Sequence, residues 1–303
     1  MRRMLVAVAA FGLLLAACAS NENPVVAPSA GGGGSPSSSA TAADCAQGVT
    51  TYVNSGQLTV GTDNPAYPPW YAGDDTQGTN WKINNPASGK GFESAVAYAV
   101  ADKMGFSRDQ VQWVEVPFNQ SFAPGPKSFD FDINQISYSP KRAKAVDFSQ
   151  SYYDVNPALV ALQGTPIAKA TSLSDLKNYS LASQIGTTDY DYIANVIQPT
   201  KEPGAYNSLA DAVQALKSGN VDGIVVDLPT AFYITAVQIP QGVIVGQFPA
   251  EGQQEYFAMA FQKGNSLVQC VNQALDELKS EGTLKAIQDR WLSSKVSVPV
   301  LST

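Results

Sequence analysis

Two charged residues of opposite sign have the chemistry needed to hold a small zwitterion. Arg142 carries a planar guanidinium that can give a carboxylate two parallel hydrogen bonds, and Ser137 nearby could add a hydroxyl or an amide. Asp227 follows the apolar run 221–226 and could accept hydrogen bonds from an ammonium group. Together these residue types are suited to the two charged groups of an amino acid.

Each of these residues also has a purely structural alternative. Ser139 and Pro140 could be the N-cap and first residue of a helix, which would leave Arg142 as a solvated surface charge. Asp227 could be the N-cap of a helix that begins near Pro229. The residue types alone leave both interpretations open.

Two further segments carry side chains suited to a ligand. Thr187 and Thr188 open a predicted helix whose free amides suit an anion, although helix capping explains them equally well. Asp63, Tyr67 and Trp70 surround a proline-rich turn, where aromatic faces could clamp an aliphatic stem or pack against a cation. Ordinary packing of the rings around a turn is the alternative.

The composition excludes several classes of function. The chain has no histidine, so Ser-His-Asp and Cys-His catalysis are excluded, and we expect no metal centre and no cofactor. Its 19 basic residues face 26 acidic ones, and no basic cluster interrupts that balance. Nucleic-acid binding is therefore not expected.

The elements that must position these residues alternate between strands and helices. Strands are predicted at 58–61, 111–116, 129–136, 179–185, 221–226 and 257–261. Helices are predicted from Phe92 to a stop at Gly105, over 208–217, and over 266–291. The pattern predicts an α/β fold whose sheets are mainly parallel. In such folds ligands bind beyond the carboxyl ends of strands, where the polar residues above occur.

The order of the elements favours two lobes. We assign residues 161–248 to one lobe and residues 45–160 with 249–303 to the other, so that two crossing segments form a hinge.

The first 44 residues predict export and anchoring. A basic start and an apolar core predict a signal peptide over 1–17, and Leu15-Ala16-Ala17-Cys18 matches the bacterial lipobox, in which Cys18 is lipidated. Residues 18–44 then form a linker rich in Ala, Ser, Gly and Pro. An ordinary signal peptide with a chance cysteine is the alternative. We expect the protein on the extracytoplasmic face of the cell membrane.

Two cysteines remain after Cys18. Cys45 and Cys270 form an even pair in an exported chain, which predicts a disulfide between the start of the folded region and a C-terminal helix.

The run from Gly61 to Trp291 resembles the family 3 extracellular solute-binding proteins, the polar amino acid receptors of ABC importers. The resemblance is carried by Gly61-Thr62-Asp63, Tyr67-Pro68-Pro69-Trp70, Gly89-Lys90-Gly91-Phe92-Glu93, Ser137 through Arg142, Val146-Asp147-Phe148-Ser149, Tyr152-Tyr153, Gly186-Thr187-Thr188, Val221-Asp222-Gly223 leading to Asp227, and Glu281-Gly282-Thr283-Leu284. It implies a two-lobed periplasmic-binding-protein-like fold of type II with a two-strand hinge.

The resemblance also implies roles for individual residues. Arg142 would hold the ligand carboxylate with Ser137, Thr187 and Thr188, and Asp227 would hold the ammonium. Selectivity for a polar or cationic side chain would come from the matching positions, which are Asp63, Tyr67, Gln184 and Phe118. Gln135 stands where the family usually has a small residue and is expected to touch the ligand.

The implied partners are an amino acid and the permease of an ABC transporter, with the protein itself a monomer. An enzyme on the same fold, such as a cyclohexadienyl-type dehydratase, and a ligand-sensing lipoprotein are the two alternatives.

Overall fold

The computed structural model describes residues 41–250, 254–292 and 298–303. The predicted signal peptide, Cys18 and most of the predicted linker lie outside these residues. Within the described ranges, no helix is both long enough and apolar enough to cross a membrane.

The described residues form eight α-helices and twelve β-strands. The helices are α1 (Ala42–Gln47), α2 (Phe92–Lys103), α3 (Phe118–Ser121), α4 (Thr188–Tyr192), α5 (Leu209–Lys217), α6 (Leu228–Tyr233), α7 (Leu267–Ser280) and α8 (Thr283–Leu292). The strands are β1 (Leu58–Thr62), β2 (Val111–Glu115), β3 (Phe131–Asp132), β4 (Val146–Phe148), β5 (Tyr153–Asp154), β6 (Pro157–Leu162), β7 (Leu181–Gln184), β8 (Gly204–Tyr206), β9 (Gly223–Asp227), β10 (Gly242–Gln247), β11 (Tyr256–Phe257) and β12 (Ala260–Gln262).

Two five-stranded sheets organise the chain. Their strand orders are β2-β1-β3-β12-β4 and β10-β6-β9-β7-β8. In each sheet one strand, β12 or β6, runs antiparallel to its neighbours, so the other four strands share one direction. The predicted α/β class with mainly parallel sheets in two lobes is therefore confirmed.

The chain crosses between the sheets next to a short antiparallel ribbon. β5 leads into β6 of the second sheet, and β11 leads into β12 of the first. These two strands pair through Tyr153 with Phe257 and Asp154 with Tyr256. This ribbon corresponds to the predicted two-strand hinge.

The strand bounds favour lobe boundaries other than those predicted. The boundary at 160/161 falls inside β6, because the apolar run Pro157–Leu162 is one continuous strand of the second sheet. The C-terminal residues 298–303 also pack on the second lobe. Leu301 is buried there and its amide donates to the carbonyl of Gln247 at 2.9 Å. We therefore propose that the second lobe comprises 157–248 together with 298–303.

Some predicted elements are shorter or divided. Of the predicted strand 129–136 only Phe131–Asp132 pairs, and 257–261 is shared between β11 and β12. The predicted helix 266–291 is two helices, which break at Gly282, where φ is +75°. The apolar spacing continues across the break, so periodicity alone does not reveal it. Gly105, predicted to end α2, has a φ of +82° and lies just beyond that helix.

Helix α1 begins inside the predicted linker. Thr41 caps it, and the side chain of Asp44 accepts a hydrogen bond from the amide of Thr41 in return. The predicted disulfide is present, with Cys45 joined to Cys270 of α7 and their Cα atoms 5.3 Å apart. The linker thus ends before α1, because the disulfide and the buried face of α1 fix this segment on the first lobe.

The hydrophobic cores follow the two sheets. The first lobe has one core that joins the face of β1 to α2 and α7 and includes Phe92, Phe131 and Phe257. The second sheet is covered by a separate apolar cluster on each face. Outside these apolar cores, polar side chains converge where the strands end, at the cleft between the lobes.

Candidate functional site

A cavity of about 650 Å³ lies between the lobes. Residues 63–142 of the first lobe and 183–230 of the second both contribute to its walls. Ten of the eleven side chains predicted to bind a ligand line it: Asp63, Tyr67, Phe118, Gln135, Ser137, Arg142, Gln184, Thr187, Thr188 and Asp227. The carboxyl ends of the strands thus bring together residues that are far apart in sequence, as the α/β pattern predicts.

Arg142 is a buried cation at the wall of the cavity. Its side chain is 8% exposed, its Nη1 donates to the carbonyl of Ser137 at 2.6 Å, and its Nη2 donates to that of Gly186 at 2.8 Å. The guanidinium carbon lies 4.2 Å from the ring centre of Phe122. Burial lowers the pKa of Arg142 to about 10, so it stays charged at neutral pH. It is therefore a fixed charge facing the cavity rather than a solvated surface residue.

The N-cap predicted as the alternative role of Ser139 is instead Lys141, which precedes the short 3-10 turn Arg142–Lys144. Ser139 still fixes the backbone here, because its Oγ accepts the amide of Arg142 at 3.2 Å.

The hydroxyl residues of the two lobes meet beside Arg142. Thr188 Oγ1 lies 3.2 Å from Ser137 Oγ, across the cleft. Thr187 is the N-cap of α4, since its Oγ1 accepts the amide of Tyr190 at 3.1 Å. Thr187 therefore caps the helix, whereas Thr188 contacts the opposite lobe.

Asp227 ends β9 and occupies the N-cap position of α6, yet its side chain makes no capping hydrogen bond. The carboxylate lines the cavity instead. Burial, followed by the negative charge of Asp189, raises the pKa of Asp227 well above its usual range. A cation placed beside this carboxylate would relieve both effects.

Asp189 was not predicted as a site residue. It lines the cavity, is 6% exposed, and its Oδ1 has no hydrogen-bond partner. In sequence it is an ordinary acid in the first turn of a helix, and only its burial distinguishes it.

Asp63 belongs to a second group of charges. Burial raises the pKa of this carboxyl, although hydrogen bonds from the amides of Asn64 and Phe118 lower it in part. The charged neighbours of Asp63 are Glu115 and Lys82. The neighbours of Arg142 are different acids: Glu255, Asp191, Asp189 and Asp227. The cavity therefore has two charge centres, one at Arg142 and one at Asp63.

The segment after the proline-rich turn forms part of the wall near Asp63. Asn64 holds it in place by accepting the amide of Lys82 at 3.0 Å and donating to the carbonyl of Asn80 at 2.9 Å. Asn84 donates to the carbonyl of Ala66 at 2.7 Å. Lys82, which was not predicted, thereby reaches the cavity.

Trp70 does not line the cavity, in contrast to the prediction. It is 1% exposed and packs edge-to-face against Phe92, Tyr153 and Phe257. Its Nε1 donates to Thr230 Oγ1 of the other lobe at 2.9 Å. The turn directs Trp70 into the core and the next residue, Tyr71, towards the cavity, so ring packing is the correct interpretation here.

Gln135 is held in place by the buried acid Glu93. Its amide donates to Glu93 Oε1 at 2.7 Å, its side-chain nitrogen donates to Glu93 Oε2, and Tyr152 also donates to Glu93. Burial raises the pKa of Glu93 to about 7. Because the nitrogen of Gln135 is engaged, its amide oxygen is the atom available to the cavity.

No group of three or more acids or cysteines is arranged to hold a metal ion within the described ranges. The polar atoms at the cavity are instead those of Arg142, Lys82, hydroxyls, amides and separate carboxylates. This set can bind and orient an organic zwitterion.

The family model for bacterial extracellular solute-binding proteins, family 3, matches residues 58–294. The chain belongs to this family. The Bacillus subtilis arginine-binding extracellular protein ArtP is 27% identical over 209 residues, which are 68% of this chain and 78% of ArtP. The Escherichia coli K12 L-cystine-binding protein TcyJ is 27% identical over 247 residues, 80% of this chain and 85% of TcyJ.

A solved structure shows the same fold. The ancestral amino acid-binding protein AncCDT-1, described as a precursor of cyclohexadienyl dehydratase, is 27% identical, with a TM-score of 0.63. The match covers 78% of this chain and 96% of that one.

Proposed function

We propose that this protein captures an amino acid between its lobes and carries out no chemistry on it. The observation that carries the proposal is the pairing of a buried, charged Arg142 on the first lobe with Asp227 on the second, both facing one cavity. The ligand carboxylate would bind Arg142 and its ammonium would bind Asp227. Because the two charges lie on different lobes, one ligand would hold both together and favour the closed state.

The side chain of the ligand would extend towards Asp63. Tyr67 and Phe118 line the cavity with Asp63, so an aliphatic stem could pack between rings while a polar or cationic end meets the carboxylate. ArtP and TcyJ, named for arginine and cystine, are consistent with a ligand of this kind.

We further propose that the protein is a monomeric lipoprotein on the extracytoplasmic face of the membrane. The lipobox at Cys18 and the residues that follow support a lipid anchor joined to the folded region by a flexible linker. The family match supports delivery of the ligand to an ABC transporter permease. Labelling cells with a palmitate analogue tests the anchor, since Cys18→Ser should abolish incorporation.

A dehydratase is a second candidate, because AncCDT-1 is described as a precursor of such an enzyme. The absence of histidine weighs against an enzyme but leaves acid catalysis by a carboxylate possible. Incubation with arogenate or prephenate would distinguish the two, since product formation supports the enzyme and unchanged substrate supports the binding protein. A sensor would be recognised by a liganded form that co-purifies with a receptor kinase instead of a permease.

Thermal unfolding against a panel of amino acids tests the binding function directly. A ligand at 100 times its Kd should stabilise the protein by about 2.7 kcal/mol. The Arg142→Ala variant should lose the shift and Arg108→Ala, an exposed arginine of the same lobe, should keep it. If no amino acid raises the unfolding temperature, the proposal is wrong.

A further inference from the structure

Two acids rather than one lie at the Arg142 charge centre. Asp189 follows directly on the turn Gly186-Thr187-Thr188, whose first carbonyl accepts from Arg142. Its side chain is 6% exposed, it lines the cavity, and its Oδ1 has no hydrogen-bond partner. Capping explains Thr187 on this turn, whereas Oδ1 of the buried Asp189 next to it has no hydrogen-bond partner.

The charges around Asp189 do not balance. Arg142 is its basic neighbour and Glu255 is an acidic one. The charge of Asp189 in turn raises the pKa of Asp227 more than the charges of Glu255 and Glu93 do. With Asp189 and Asp227 both ionised, the one guanidinium leaves a carboxylate unmatched. An amino acid head group adds one charge of each sign and does not remove this excess. An unpaired buried carboxylate is strongly unfavourable, whereas a single proton restores the balance.

The position of Asp189 indicates which acid holds the proton. Asp189 lies on the same turn as Thr188, on the side where Arg142 would hold the ligand carboxylate, and an ionised acid would repel that carboxylate. Asp227 lies at the end of a different strand and must keep its charge to hold an ammonium. Burial and the charge of Glu255 raise the pKa of Asp189 well above its usual range, and Arg142 opposes them only in part.

We propose that Asp189 is a further ligand-binding residue, which acts as a neutral carboxylic acid and donates a hydrogen bond to the ligand carboxylate, so that capture takes up a proton. The inference rests on the proposed function. Solvent supplies the proton to the Asp189 carboxylate on binding, and release returns it. Affinity is then full below the pKa of Asp189 in the free protein and falls about tenfold per pH unit above it.

Isothermal titration of the full chain with L-arginine, L-glutamine and L-cystine tests this inference. Titrations at several pH values between about 6 and 9, each in two buffers whose ionisation enthalpies differ, measure the protons taken up per ligand bound. For the amino acid that binds, we expect this uptake to rise towards one proton as the pH passes the pKa of Asp189 in the free protein. Asp189→Asn, whose amide can also donate, should bind within about threefold of the wild type without proton uptake, and Asp189→Ala should bind at least about tenfold more weakly.

Asp191→Asn is the matched control, because Asp191 is an exposed acid on the same helix and also a charged neighbour of Arg142. Its proton uptake should equal that of the wild type. Binding without proton uptake, or an Asn variant as weak as the Ala variant while both unfold at the wild-type temperature, would overturn the role of Asp189 and leave the proposed function standing. If none of the three amino acids binds, this inference is wrong, and the thermal unfolding panel decides the proposed function separately.

Discussion

At the scale of single residues, Arg142 combines burial with a retained charge. Two backbone carbonyls and the ring of Phe122 hold the guanidinium where water is largely excluded. Two of its five donors are thus engaged, and the residue lines a cavity that a carboxylate can enter. The role of Arg142 therefore depends on a bound ligand.

Removing either charge partner should weaken capture strongly. Arg142→Ala or Asp227→Ala should reduce the binding free energy by about 3–5 kcal/mol, because each leaves a desolvated charge of the ligand unpaired. Calorimetry with the amino acid identified by thermal unfolding measures the loss. Arg108→Ala and Asp222→Ala, which remove exposed charges, should bind normally. Unchanged affinity in both site variants would contradict the assignment.

Glu93 is a buried acid under the cavity whose protonation is tied to folding. Its carboxylate is fully buried, accepts hydrogen bonds from Gln135 and Tyr152, and has a pKa raised from 4.5 to about 7 by burial. A raised folded-state pKa means that its contribution to stability is fully present below about 4.5 and is lost as pH rises through about 7. The shift corresponds to about 3 kcal/mol.

The Glu93→Gln variant should remove this pH dependence. Between about pH 5 and pH 8, the free energy of unfolding of the wild type should fall by about 3 kcal/mol relative to that of the variant. Urea unfolding at several pH values measures it, and the difference between the proteins isolates Glu93 from other acids. Asp102→Asn on the same helix, where the acid is exposed, should follow the wild type. Parallel stability curves for wild type and Glu93→Gln would refute this account.

At the scale of elements, α1 depends on α7. A helix of six residues is too short to be stable in isolation. It is held by the Cys45–Cys270 bond and by the amide of Ala42, which donates to Glu277 Oε1 at 3.0 Å. The described chain therefore begins with an element whose stability comes from packing on another.

Removing the disulfide should destabilise the first lobe and release α1. The sequence separation of 225 residues gives about 5 kcal/mol by the chain-entropy estimate, and we expect the Cys45→Ala/Cys270→Ala variant to lose about 2–5 kcal/mol. Hydrogen exchange should show loss of protection over 42–47. A reducing agent should destabilise the wild type and leave the double variant unchanged. Equal stability of the two oxidised proteins would contradict the prediction.

At the scale of the whole molecule, few contacts join the lobes across the cleft. They include Trp70 with Thr230, Arg142 with Gly186, and Thr188 with Ser137. Of these, the Trp70 hydrogen bond lies outside the group of residues proposed to touch the ligand. It offers a way to change closure without changing the binding groups.

Trp70→Phe should keep the ring packing and remove this hydrogen bond. One hydrogen bond of about 1 kcal/mol would shift the lobes towards the open state and weaken amino acid binding about fivefold. Calorimetry and the radius of gyration from small-angle X-ray scattering check the two effects. Trp113→Phe, which removes an indole hydrogen bond to Tyr98 within the first lobe, should leave both unchanged. A wild-type affinity in Trp70→Phe would show that this bond does not bias closure.

Features that depend on local pattern could be predicted from the amino-acid sequence alone. Strand and helix periodicity predicted the α/β class, and residue types near the strand ends predicted seven residues that line the cavity. The family resemblance added the other three, Phe118, Gln135 and Gln184. The even cysteine pair predicted the disulfide. These succeed because side-chain periodicity and turn chemistry are set by near neighbours in the chain.

The tertiary structure alone decided burial and direction. Trp70 and Tyr71 are adjacent in sequence, yet only Tyr71 faces the cavity, because the turn orients each ring differently against the core. Asp189 and Asp227 are both acids near helix starts, and their shared location at Arg142 depends on how two distant segments pack. Burial and the distance between charges are properties of the packed chain, so the electrostatics of this site arise only when the lobes come together.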